Sequence, residues 1–183
     1  MAEPFSRDRL MPALLDRLID DRPQETVESI DSRVLSKTGL RQSVLRDLGW
    51  LFNAQSARNS AIDGDVFPHA KHSTLNFGIP PLSGSLVSKL DMRDLEEMLR
   101  QAIVDFEPRI LPDTVVVKGL PPEDPLGHHN ALTFQITARL WAQPYPLELL
   151  LKTDLDLETG LVELKDSSGN PIAGRRDRTG QEG

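Results

Sequence analysis

The hydrophobic period of this chain changes at Glu107-Pro108, from a three-to-four-residue rhythm to strict alternation. Upstream, Leu95, Met98, Leu99, Ala102, Ile103 and Phe106 recur at helical spacing. Downstream, Leu132, Phe134, Ile136, Ala138 and Leu140 alternate with Thr133, Gln135, Thr137, Arg139 and Trp141. A helix buries a stripe and a half-buried strand buries every second residue, so the two patterns cannot be exchanged. Helices first and strands second is the order of an α+β domain, with N-terminal helices packed on one face of a small, mainly antiparallel sheet of three or four strands. Such a sheet has two margins, and an uncovered margin is a template for another chain's strand.

The pattern gives a plan for the whole chain: an N-terminal helix and polar linker over residues 1–36, an α+β domain over 37–166 and a polar, disordered tail over 167–183. Within the first part, Leu10, Leu14, Leu15, Leu18 and Ile19 predict a short amphipathic helix over 9–20, with Pro12 tolerated in its first turn and an apolar stripe that needs a surface to cover. The strongest helical stripe is Leu40, Val44, Leu45, Leu48, Leu51 and Phe52, over 38–56. A Gly-, Pro-, Ser- and Asn-rich stretch over 59–88 reads as a surface loop pinned by Phe67, Phe77 and Ile79. Asp91 is placed to cap a helix through Phe106, supported by Asp94. Strands are expected over 114–118, 131–141, 147–155 and 161–165, the last two forming a hairpin with Gly160 at the tight position.

Composition removes several functions. With 28 acidic and 21 basic residues the net charge is -7, which opposes a broad grip on nucleic acid or anionic lipid and favours protein partners. The absence of cysteine rules out disulfides, thiol nucleophiles and cysteine-ligated zinc. Charges at Glu3, Arg7, Asp8, Arg9, Asp16 and Arg17 interrupt any signal-peptide core, and no apolar run reaches the roughly 20 residues of a membrane span, so the sequence reads as cytoplasmic, without membrane insertion.

Glu107, Pro108 and Arg109 pair opposite charges across a residue that ends a helix. Proline pushes its predecessor toward extended geometry, so Glu107 and Arg109 should emerge on the same side. Two readings stay open: a solvated salt bridge at a helix end, or a polar anchor buried when a partner docks. Trp141, on the polar phase of the best strand, is either a partner contact or packed on its own loop. A glycosidase-like role for Glu107 needs an apolar pocket and a second carboxylate at a suitable distance; Arg109 opposes the first, and neither Asp105 nor Asp113 has a diagnostic spacing. His69 and His72 lie three apart in a proline-flanked loop without a third ligand, and His128-His129 has no better context, so no metal site is expected. Ser73, Ser83 and Ser85 occupy no nucleophile elbow, and Gly78 and Gly84 make no phosphate loop, so no cofactor is expected either.

Three segments together carry a resemblance: 43–53 (Ser-Val-Leu-Arg-Asp-Leu-Gly-Trp-Leu-Phe-Asn), 73–80 (Ser-Thr-Leu-Asn-Phe-Gly-Ile-Pro) and 106–110 (Phe-Glu-Pro-Arg-Ile). The ordered set resembles the TssE family of type VI secretion baseplate subunits, which is related to wedge proteins of contractile phage tails. The likeness spans residues 34–165, and the first helix also fits. It implies a structural rather than enzymatic protein in the baseplate wedge, beneath the first sheath ring. The implied partners are the wedge subunits TssF, TssG and TssK and the sheath subunits TssB and TssC, at a baseplate recruited to the inner membrane. It further implies that sheath strands join the wedge protein's sheet, and that Glu107-Pro108-Arg109 is the family's structural motif. On that basis, truncating Glu107 or Arg109 is expected to leave a folded monomer while abolishing sheath assembly. Two other functions are carried: a peptidoglycan hydrolase, after the family's lysozyme-like label, and a soluble adaptor using the same sheet edge.

Overall fold

The computed structural model describes residues 13–18, 24, 35–56, 66–82, 91–121, 131–142 and 144–166. Helix α1 covers Leu14–Leu18, α2 Lys37–Asn53, α3 Pro68–Lys71 and α4 Met92–Phe106; strands β1 to β4 are Val116–Leu120, Ala131–Leu140, Leu147–Asp156 and Val162–Asp166. The expected linker, the outer turns of the first helix, Ser83, Ser85, His128, His129 and the tail fall outside these residues, Gln24, Leu35 and Ser36 excepted.

The long helices start where their caps dictate. The Ser36 hydroxyl accepts from the Gly39 N–H at the head of α2, and the Asp91 carboxylate accepts from the Arg93 N–H at the head of α4. Each satisfies a donor that the first turn leaves without an intrahelical partner. From α2, Leu40, Val44, Leu48, Leu51 and Phe52 are buried, and from α4, Leu95, Leu99, Ala102 and Ile103.

The sheet is antiparallel throughout, in the order β1-β2-β3-β4. Alternation decides which face the helices cover: Phe134, Ile136, Ala138 and Leu140 of β2 are buried, together with Leu149, Leu151 and Leu155 of β3 and Val162 and Leu164 of β4. These residues and the two helical stripes form one core, with α4 against β1 and α2 against β4. The opposite face is mixed: Val116 and Leu150 are exposed on it either side of Thr137, and elsewhere it is laced by Asp154, which accepts from the Thr133 hydroxyl at 2.7 Å and from Lys165 Nζ at 2.5 Å. The β3–β4 turn closes as expected, with Gly160 at φ 74. Asp156 Oδ1 accepts from the Glu158 and Thr159 N–H groups inside that turn.

The stretch expected as a plain surface loop holds more order in its described part. It carries α3 and a 3-10 turn at Thr74–Asn76, and then returns to α2 through a parallel bridge between Gln55 and Ile79. Ile79 is buried and pins this return, as expected; Phe67 is exposed and does not. Gly78 makes the return possible. Its φ is +120, and a Cβ there would lie 2.3 Å from the Ala54 carbonyl oxygen. Both facts exclude a side chain.

Gly78→Ala is therefore expected to destabilise the fold by about 2 kcal/mol or more, read as a fall in the urea midpoint. A second test concerns Asp154. Burial alone would raise its carboxyl, but the hydrogen bonds from Lys165 and Thr133 outweigh this and hold it below its ordinary value. A depressed folded-state value gives stability that is present above the unfolded value and lost as pH falls through the folded one. The difference in stability between wild type and Asp154→Asn should be below about 1 kcal/mol near neutral pH and should shrink as pH falls past about 3.9.

Candidate functional site

Helix α4 ends at Glu107, whose N–H still donates to the Ile103 carbonyl at 2.9 Å while its own backbone leaves helical geometry at φ -120 and ψ 82. The chain then reverses in a tight turn closed by the Ile110 N–H donating to the Glu107 carbonyl at 3.1 Å. Pro108 occupies the second position of that turn, where its fixed φ is already correct. Glu107 and Arg109 do reach the same side, but through this turn and not through strand alternation. Past the turn, Ile110 bridges Leu140, the Trp141 N–H donates to the Arg109 carbonyl at 2.7 Å, and the Leu111 N–H donates to the Arg139 carbonyl at 2.8 Å. The corner is thus sewn to the end of β2.

The charge pair points inward. Arg109 Nε donates to Glu107 Oε1 at 2.7 Å, Nη2 donates to Glu107 Oε2 at 2.5 Å, and the Arg109 backbone N–H adds a third bond to Oε1 at 3.1 Å. The rest of the guanidinium reaches α2, donating from Nη2 to Asp47 Oδ2 at 2.5 Å and from Nη1 to Ser43 Oγ at 3.2 Å. Only 4% of the Glu107 side chain and 23% of the Arg109 side chain meet solvent. The pair is therefore not the solvated helix-end salt bridge of the first reading: it is largely shielded from water against its own α2. Burial alone would lower the Arg109 value, but the hydrogen bonds and charges of Glu107, and then of Asp47, overcome it and hold the guanidinium well above its ordinary range.

The ionic chain continues past Arg109. Asp47 Oδ1 accepts from Arg46 Nε at 2.8 Å, and Arg46 in turn pairs with Asp16 of α1. Asp16, Arg46, Asp47, Arg109 and Glu107 therefore alternate in sign from the first helix to the corner. The Arg46 guanidinium also lies 4.9 Å from the centre of the Trp50 ring.

The three segments singled out in the sequence meet here. Segment 43–53 supplies Ser43 and Asp47 to Arg109. Segment 73–80 joins the end of α2 through the Ile79 N–H, which donates to the Ala54 carbonyl at 3.0 Å. It also meets the end of α4, where the Phe77 and Phe106 rings pack edge to face at 5.4 Å. Pro108 and Trp141 lie at the surface of the same corner, Trp141 being 53% exposed.

The chemistry of this site is that of a structural joint. Glu107 is buried and both its oxygens accept from Arg109, so its carboxylate is committed within the joint. His72 bonds Asp105 at 2.9 Å, and no group of three metal-ligating side chains occurs among the described residues. No described helix is long and apolar enough to cross a membrane.

With this geometry in view, comparison with known proteins is specific at one level. The family model for baseplate wedge protein gp25 matches residues 38–145, more than half of the chain. The chain belongs to that family of baseplate wedge proteins. No curated protein and no solved structure matches it. The match runs from α2 through the corner to the end of β2 and the connection after it. A wedge protein of this class acts through contacts with other baseplate and tail components.

Because Glu107 is enclosed, Arg109→Ala leaves a buried carboxylate without its cation. It should cost about 3 kcal/mol, the low end of the range for breaking a buried pair, since Arg109 keeps some exposure. Arg109→Lys should fall between wild type and the alanine variant, because an ammonium cannot span Glu107, Asp47 and Ser43 at once. Urea midpoints of the purified proteins measure both. Equal midpoints for all three would remove the joint from any account of stability.

Proposed function

We propose that this chain is the TssE-type subunit of a type VI secretion baseplate, a non-enzymatic wedge component that seeds the contractile sheath by sharing β-strands. The observation that carries this reading is the convergence of segments 43–53, 73–80 and 106–110 on one joint, inside the region that matches the wedge family. In this reading the joint holds the sheet at a fixed angle to the helices, so that a strand margin is presented in one orientation. Main-chain pairing gives register, and repetition around a symmetric baseplate gives avidity without a tight single site.

The partners in this reading are the wedge subunits TssF, TssG and TssK and the sheath subunits TssB and TssC, in the cytoplasm at a baseplate on the inner membrane. Glu107, Pro108, Arg109 and Trp141 belong to the partner-facing corner, the ion pair supporting it from within and Trp141 offering exposed aromatic surface. The domain that does this runs from 37 to 166. Truncating Glu107 or Arg109 acts here through stability as well as through assembly, which revises the expectation of an undisturbed monomer.

In cells that carry the secretion apparatus, loss of this chain should abolish assembly of fluorescently tagged sheaths. Trp141→Ala should reduce sheath number while leaving the urea midpoint of the purified protein within about 0.5 kcal/mol of wild type, as for a surface substitution. Glu107-dependent clearing of a cell-wall suspension by the purified protein would establish a hydrolase instead, and co-purification with a soluble regulator in place of baseplate subunits would establish an adaptor.

A further inference from the structure

The two margins of the sheet are not equivalent. In an antiparallel ladder alternate residues turn their N–H and C=O toward the neighbouring strand, and the intervening ones turn both groups away from it. On β1 the outward residues are Val117 and Gly119. The Gly119 N–H is already taken, donating to Glu96 Oε1 of α4 at 2.7 Å. The next outward position is Pro121, which has no N–H. Helix α4 also crowds this margin, since a Cβ on Gly119 would lie 2.6 Å from Met92 Sδ. An added strand would find one main-chain donor here, at Val117.

On β4 the outward residues are Val162, Leu164 and Asp166, by the register that pairs them with Leu155, Thr153 and Leu151. Val162 is closed by a side chain that imitates a neighbouring strand. Its N–H donates to Asn53 Oδ1 at 3.0 Å, and its carbonyl accepts from Asn53 Nδ2 at 2.9 Å. The Asn53 amide also donates to the Gly49 carbonyl at 2.8 Å, so its orientation is fixed by α2. Beyond Val162, no described residue covers Leu164 or Asp166 with a comparable side-chain cap.

We infer that the β4 margin from Leu164 onward, and not β1, receives an extended segment of another protein chain, and that Asn53 fixes where that pairing begins. This rests on the strand-sharing reading above and names the margin it uses. The segment should alternate in character. Positions level with Leu164 continue the buried face toward α2, where Gly49 packs on Leu164, and should be apolar; positions level with Glu163 and Lys165 lie on the polar face. This chain's own continuation does not fit that pattern, since residues 167–183 contain only Ile172 and Ala173 as apolar residues.

Site-specific photo-cross-linking in cells carrying the whole apparatus tests the inference, with the reactive residue placed at Glu163 on β4 or at Lys118 on β1. Both are exposed polar-face positions. The expected result is an adduct with a different protein of the apparatus from Glu163 and none from Lys118. Asp166→Pro, which deletes an outward N–H and leaves the β3 ladder intact, should lower the Glu163 yield by about tenfold, as for one lost main-chain hydrogen bond. Adducts from Lys118 alone would overturn the choice of margin and leave strand sharing standing. Adducts from Glu163 to this chain's own tail or to a second copy would overturn the inferred occupant. No adduct from either position, in cells that still build sheaths, would remove strand sharing itself.

Discussion

One guanidinium fixes the relation between the parts of this molecule. Arg109 is held by Glu107 at the end of α4 and by Asp47 and Ser43 on α2, while its carbonyl accepts from the backbone after β2. Removing a cation from water is costly, and the cost is offset only when its donors meet partners in good geometry. A flat, forked guanidinium meets that demand where a point charge would not. The helices and the sheet are therefore joined by a contact that is favourable only when all its members are in place. Apolar packing is more tolerant of small displacements.

The surroundings of that joint show the same division between a fixed interior and an available exterior. Both tryptophans and the single tyrosine are exposed: Trp50 at 48%, Trp141 at 53% and Tyr145 at 74%. The core is filled instead by aliphatic residues and phenylalanine. Amphipathic aromatics at a surface suit contacts that keep one edge wet, and a subunit of a large assembly has use for them. Trp141 is tied to the joint through its backbone, where its N–H donates to the Arg109 carbonyl.

Much of the fold was legible in the sequence, because its signals are local. The period change at Glu107-Pro108, the Asp91 cap, the alternation in β2 and the glycine of the β3–β4 turn each depend on neighbours within a few residues. The contacts that define the site do not. Asp47 and Ser43 lie 62 and 66 residues from Arg109. Their only sequence signal is a spacing of four on one helix, polar positions beside an apolar stripe. Likewise Asn53 reaches Val162 across 109 residues and Glu96 reaches Gly119 across 23. No periodicity announces such contacts, which is why the ion pair read as solvated or partner-dependent and the sequence did not distinguish the two sheet margins.

The occupied Gly119 donor has a consequence for how many neighbours this sheet can join. A strand array grows without limit only if every member has two competent sides, as in a fibril. With Glu96 on the Gly119 N–H and proline at 121, the β1 side is narrowed to a single outward donor, at Val117. Glu96 of α4 already holds the donor that a strand added beside β1 would need, which is one way a sheet margin is kept from indiscriminate pairing.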